Sequence, residues 1–201
     1  MNKKPKYNNI ELDELIASPE EICPAMYQYY RNLKNRKIIF NQEFSSDVVE
    51  TLILPLLEMD NDGSNAPIEI VLCSIGGSVF DGLILCDIID RLKTPTRITV
   101  LGYAFSMGSV VLFAGKHNPN VRKVCYPFST ALIHDGECAI SGTPSAVKDT
   151  QEFYAKINKK IEDYMIKNSI ITSAMYKKMK TKQWFMTSDE MLKYGLVDEI
   201  L

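Results

Sequence analysis

Residues 68–101 read IEIVLCSIGGSVFDGLILCDIIDRLKTPTRITVL, and this stretch decides the fold. Ile68 to Leu72 is an aliphatic, β-branched run that predicts a strand. It ends at Cys73-Ser74-Ile75-Gly76-Gly77, where two glycines permit a turn that other residues resist. From Ser78 onward Leu83, Ile84, Ile88 and Leu92 repeat at helical spacing, and Lys93-Thr94-Pro95 closes the run. Arg97 to Leu101 then predicts a second strand. Strand, helix and strand at this spacing make a βαβ unit, and hence a parallel pair.

The same alternation extends outward on both sides. Upstream, Met26 to Leu33 reads as a helix and Lys37 to Phe40 (KIIF) as a strand. Asp47 to Met59 places Val48, Val49, Leu52, Ile53 and Leu56 on one helical face, and Asp60 to Pro67 (DNDGSNAP) is dense in turn residues. Downstream, Ser106 to Ala114 reads as a helix, Val121 to Tyr126 and Thr130 to Ile133 as strands, with His134 ending the second. The fold class is α/β with a mainly parallel sheet.

Thr143-Pro144 is a helix start, with Thr able to cap and Pro suited to the first position. From there Val147, Phe153, Tyr154, Ile157, Ile161, Tyr164 and Met165 form an apolar stripe among lysines, which predicts an unusually long amphipathic helix. Two surfaces suit that stripe equally on periodicity alone, another subunit or its own domain. Residues 1–24 are polar and irregular apart from a helix-like run, Ile10 to Ala17. They read as a flexible arm ahead of a single domain over 25–201.

Composition narrows the class. The 201 residues carry 23 basic and 25 acidic side chains, a net charge of −2, so nothing electrostatic points to nucleic acid or a membrane as partner. No apolar run approaches the about 20 residues a bilayer span needs, and the N-terminus has no apolar signal core. The cytoplasm is the expected location. Five cysteines are odd in number and none are spaced C-x-x-C, which gives no disulfide framework or zinc site. The three in apolar stretches, Cys73, Cys86 and Cys125, are expected as buried thiols. With no P-loop, EF-hand loop or paired histidines, no cofactor or metal is expected.

The strongest chemical signal is Ala104-Phe105-Ser106-Met107-Gly108, between an apolar strand and an apolar helix. A serine on such a turn exposes its hydroxyl at the sheet's edge, as in G-x-S-x-G elbows. The Met107 N–H then points from a helix start toward a developing oxyanion. A simple helix cap by Ser106 remains the alternative reading of that serine. Gly76-Gly77 would similarly present backbone N–H groups. Of the two histidines, His134 ends a strand at the same sheet edge and suits a general base. His117 lies in a polar loop and reads as a surface residue.

GGSVFDG (76–82), GYAFSMGS (102–109), the pair Ile133-His134 and FMTSDEMLKYGLVDEIL (185–201) together resemble the Clp protease proteolytic subunit family, ClpP. The similarity runs from about Tyr30 to Leu201 with the motif order kept. It implies a crotonase-type α/β fold of repeated β-β-α and βαβ units, with the long helix from Thr143 as a protruding handle. It implies a serine endopeptidase in which Ser106 is nucleophile and His134 base, with Gly77 and Met107 supplying the oxyanion hole. Subunits of this kind assemble as heptameric rings, two of which form a tetradecamer enclosing a degradation chamber. Their partners are AAA+ unfoldases such as ClpX, ClpA or ClpC, which use the ATP and deliver unfolded protein substrates.

The pattern is broken where the family's triad acid falls, since alignment places Gln183 there. A carboxamide can orient His134 but cannot stabilise imidazolium as a carboxylate does. Asp135, next to His134, is a substitute acid only if the strand's alternation does not turn it to the opposite face. A catalytically impaired, ClpR-like structural subunit working beside an active one is the alternative function. An acyl-CoA hydratase or isomerase of the wider crotonase superfamily is a third, disfavoured by the serine elbow. Further departures are Cys73-Ser74-Ile75 before the glycine pair, Phe105, Thr181 and Lys182.

Overall fold

Apolar residues on both faces of the strands dictate a sheet sandwiched between helices. The structure is a computed structural model; it describes residues 23–201 and the backbone of Lys6–Tyr7 (β1) and Ile10–Glu11 (β2). These two short strands pair antiparallel, Lys6 with Glu11. Ile10 therefore opens an extended segment where the sequence suggested a helix. The remainder of that run, and most of the expected arm, falls outside the described residues.

Helix α1 (Pro24–Lys34) leads into β3 (Lys37–Phe40). A π-helical turn at Val49–Ile53 runs into α2 (Leu54–Asn61), and β4 (Ile68–Ser74) and α3 (Val79–Ile89) follow. Then come β5 (Thr96–Phe105), α4 (Met107–Val111), β6 (Val121–Cys125) and β7 (Thr130–Ile133). The last part holds α5 (Pro144–Lys167), α6 (Ser173–Met179), β8 (Trp184–Met186), α7 (Ser188–Tyr194) and β9 (Glu199–Ile200). The spine of the sheet runs β3-β4-β5-β6-β9, every pair parallel.

At β5 the sheet forks. Its first half, Thr96 to Val100, pairs with β6, and its second half, Tyr103 to Phe105, pairs parallel with β7. Gly102, at φ +81°, lies between the halves. Val100 O accepts from both the Tyr126 N–H (3.3 Å) and Ser129 Oγ (2.9 Å), sealing the gap where β6 leaves and β7 enters. Strand β7 then pairs antiparallel with β8. The fork carries the end of β5 alongside the end of β7, and so brings residue 106 near residue 134.

Three local differences from the sequence reading have physical causes. The helix expected over 47–59 begins as a π turn, because Pro55 has no N–H for the usual i→i−4 bond. Leu54 N–H instead reaches back to Val49 O. Strand β5 continues to Phe105, beyond the expected Leu101, held by β7 through pairings that local periodicity does not encode. Helix α4 is correspondingly shorter than the expected 106–114. Among the cysteines, Cys86 and Cys125 are buried as expected, whereas Cys73 is only partly covered.

Helix α5 has 24 residues and is capped by Thr143, whose side chain accepts the Ala146 N–H. Only Met165, near its end, is buried. Ile161 and Tyr164 pack partly on the core, and Tyr164 Oη donates to Asp90 Oδ2 at 2.8 Å. Farther out, Phe153 stacks on Phe80 yet stays about half exposed. The stripe is shared: its last turns rest on the domain, and its outer part stands clear.

Candidate active site

Ser106 sits where the last β5–β7 pairing, Phe105 with Leu132, gives way to α4. Its N–H donates to Leu132 O at 2.8 Å, an extension of that ladder. Its backbone adopts φ 52°, ψ −120°, one of three positive-φ non-glycine residues among those described. Such a conformation costs about 1–3 kcal/mol and persists only where the surroundings enforce it. The Ser106 side chain makes no cap hydrogen bond to α4. The helix-cap reading of this serine is thereby set aside, and the strained elbow stands in its place.

The surroundings that enforce the turn are glycines. A Cβ on Gly76 would lie 2.6 Å from Ser106 Cβ and 2.8 Å from Phe105 O, and its φ is +105°. A Cβ on Gly77, at φ +132°, would strike the Phe44 carbonyl oxygen. Phe44 and Gly77 form an isolated parallel bridge. Phe44 N–H donates to Gly76 O at 2.7 Å and Ser78 N–H to Phe44 O at 2.8 Å. With its neighbours engaged, Gly77 N–H has no acceptor among the described residues, and the same holds for Met107 N–H. Both are backbone donors held ready by structure formed around them.

Met107 itself is fixed by packing. Its side chain is buried in the space that Gly82 of α3 leaves, where any Cβ would collide with it. The reading of the sequence missed three supports of this loop: Ser74, Phe44 and Gly82. Ser74 is almost fully buried, donates from Oγ to Gln42 O at 2.6 Å and accepts the Gly76 N–H at 3.2 Å. A hydroxyl closing an apolar strand just before a glycine pair was the available signal. The bridge from Phe44 is long-range and left none.

Ser106 and His134 line one cavity of about 580 Å³, together with Met107 and residues of α5 and α6. Neither Ser106 Oγ nor the His134 ring makes a hydrogen bond among the described residues. Hydrogen bonds of this kind are often loose until substrate binds. His117 is exposed on its loop, as expected. Gln183 precedes β8, whose antiparallel pairing with β7 stops at Ile133 with Trp184, and Gln183 is not among the residues that line the cavity. Gln183 is exposed and forms no hydrogen bond among the described residues.

Asp135 also lines the cavity. Strand β7 ends at Ile133, so strand alternation does not separate residues 134 and 135. Its charge is felt at Tyr176 on α6, whose phenol is pushed up first by burial, then by Glu162 and Asp135. Lys159 shares the cavity, yet hydrogen bonds to Asp163 and Glu162 push its amine up, so it stays protonated and cannot serve as a base to Ser106. A hydroxyl and an imidazole lining one cavity, with the free N–H of Met107 there and that of Gly77 in the adjoining glycine loop, suit acyl transfer through a tetrahedral oxyanion.

Comparison with known proteins agrees with this chemistry. The profile of the Clp protease family matches residues 21–201. An ATP-dependent Clp protease proteolytic subunit of Borreliella afzelii is 31% identical over 173 residues, covering 86% of each chain. Proteolytic subunit 1 of Borreliella burgdorferi is 30% identical over 173 residues, covering 86% of this chain and 88% of that one. The subunit of Deinococcus radiodurans is 27% identical over 173 residues, covering 86% of this chain and 83% of the relative.

Proposed function

The chain belongs to the Clp protease family, and from that premise we propose that it is the serine endopeptidase subunit of an ATP-dependent Clp-type protease. The observation that carries this reading is the strained Ser106 elbow, facing a cavity that it shares with His134 and flanked by the free N–H groups of Gly77 and Met107.

Ser106 Oγ attacks the substrate carbonyl carbon while His134 accepts its proton. The developing oxyanion receives the N–H groups of Gly77 and Met107, each such donor contributing roughly 10²–10³ to turnover. His134 then hands the proton to the departing amine, and water releases the acyl group by the same steps in reverse. Gln183, the residue just before β8, stands at the family's acid position and orients the ring through its amide oxygen without lending it charge. The acid missing at this position lowers the rate but leaves the mechanism intact. Substrates are unfolded chains delivered by an AAA+ ATPase, and the subunits form heptameric rings stacked through α5 into a chamber. The half-exposed aromatic face of α5 supports that assembly, and sedimentation velocity reading a monomer would count against it.

The test is labelling with a small fluorophosphonate and hydrolysis of fluorogenic peptides. Ser106 is expected to carry the label and Ser106→Ala to abolish both signals. Gln183→Asp is expected to raise kcat/KM by roughly tenfold or more. No labelling of Ser106 in the assembled protein would sink the peptidase reading. An unchanged rate in Gln183→Asp would show that position 183 is not where the acid is missing.

A further inference from the structure

The two oxyanion donors lie on separate segments, Gly77 in the loop after β4 and Met107 at the start of α4, so their aim depends on what fixes both. One residue touches both. Ser74 closes β4 and is 1% exposed. Ile68, Ile70 and Leu72, on the same face of that strand, are apolar and buried, so packing alone would take a small apolar side chain here. A buried hydroxyl is tolerated only when it is bonded. Ser74 Oγ is engaged twice: it donates to Gln42 O at 2.6 Å and accepts the Gly76 N–H at 3.2 Å. A group that donates and accepts at once strengthens both bonds. The second bond holds Gly76, at φ +105°, and Gly76 carries Gly77. The first ties the same loop to residues 42–44, where Phe44 N–H donates to Gly76 O and Phe44 O accepts the Ser78 N–H. On its other flank Ser74 pairs with Ala104 of β5, two residues before Ser106. A Cβ on Gly108 would lie 3.1 Å from Ser74 O, so the first turn of α4, with Met107 in it, rests on the Ser74 backbone.

We propose that Ser74 is a positioning residue of the oxyanion hole: its hydroxyl aims the Gly77 N–H by clamping Gly76 to residues 42–44, while its backbone seats Met107. The proposal rests on the reading of Ser106 as nucleophile. An oxyanion donor acts only from about 2.7–3.1 Å of the point where charge develops, so a small drift of the glycine loop forfeits most of its effect. The ground-state substrate does not feel that drift. The loss therefore falls on kcat and leaves KM in place.

The experiment measures kcat and KM of the full-length protein on one fluorogenic peptide, for wild type and four variants. Ser74→Ala should lower kcat by about tenfold or more, short of the roughly 10²–10³ for removing a donor outright, with KM within about twofold of wild type. Ser74→Thr keeps the hydroxyl and should regain most of the rate. Ser74→Cys keeps the volume but weakens both hydrogen bonds, so it should fall between alanine and wild type, and it tests the point even where alanine does not fold. Ser188→Ala controls for the loss of a buried hydroxyl as such: Ser188 is 5% exposed, and its Oγ donates to Pro127 O at 2.7 Å at the head of α7. That variant should keep the wild-type kcat. An unchanged kcat in Ser74→Ala or Ser74→Cys, a loss that falls on KM, a threonine variant as slow as alanine, or an equal loss in Ser188→Ala would each overturn the positioning role. Fluorophosphonate labelling of the wild type separates the two readings. A labelled Ser106 with full kcat in Ser74→Ala ends the positioning role alone, and an unlabelled Ser106 ends both.

Discussion

At the scale of single residues, the site is built by what is missing from two glycines. Gly76 and Gly77 both occupy positive φ, and both lie where a methyl group would meet backbone or Ser106 itself. Gly76→Ala combines steric conflict at 2.6 Å with a left-handed backbone, so either Ser106 moves or the loop does. Displacement of a reacting atom by about 1 Å costs roughly 100-fold in rate. Labelling of Ser106 in Gly76→Ala should fall by at least that factor, while circular dichroism still reports the wild-type fold. Normal labelling in the variant would show that the elbow does not depend on this glycine. Ser106, His134, Gly77 and Met107 could be singled out because each sits in a short motif, and Ser106, Met107 and His134 line one cavity. Ser106's freedom from helix capping was not legible, since that depends on one backbone torsion pair. The place of Gln183 was legible only by resemblance, and the β7–β8 pairing stops one residue short of it, at Ile133 with Trp184.

At the scale of elements, sequence patterns worked where a segment's neighbours are local. The strands at 37–40 and 130–133 and the start of α5 fall where the pattern put them. Thr187 and Glu190 form a reciprocal capping box at the head of α7, with Gly195 in the left-handed conformation at its end, both rules written in the sequence. Failures came where distant chain decides: Tyr103 to Phe105 are strand because β7 lies beside them. The seating of α5 is another long-range matter. Asp90 Oδ1 takes the Gly115 N–H at 2.6 Å and Oδ2 takes the Tyr164 hydroxyl, so one carboxylate ties α3, the loop after α4 and α5 together. The Tyr164 phenol is pushed up by burial and by nearby Cys86 and Asp90, and so remains a donor across the accessible pH range. Tyr164→Phe should lower unfolding free energy by about 1 kcal/mol, the ordinary net worth of a partly solvated hydrogen bond. The midpoint of urea unfolding should shift without a change in slope. A shift within error would mean that packing of Ile161 and Met165 seats α5 by itself.

At the scale of the whole molecule, one buried cation couples stability to pH. Lys123 of β6 is 1% exposed, and its Nζ donates to Leu112 O at 2.6 Å and Ala114 O at 2.9 Å, closing the end of α4 and the turn after it. Burial pushes its amine down to about 8 from 10.5, opposed by Asp198. Below about pH 8 the amine is charged in both folded and unfolded chains, and its desolvation penalty is constant. Between about 8 and 10.5 the unfolded chain still holds a proton that the folded chain has shed, so rising pH favours the fold through this group. Buried Cys86 and Tyr164 act in the opposite sense, since burial pushes both up and unfolding at high pH would release their protons. A wild-type profile alone would therefore mix the two signs. Lys123→Met isolates one of them: it is less stable at pH 7 because two carbonyls lose their donor, and the gap should widen as pH rises from 8 toward 10. Parallel profiles for wild type and variant over that range would show that Lys123 keeps its proton in the fold, and that the two carbonyls compensate its burial fully.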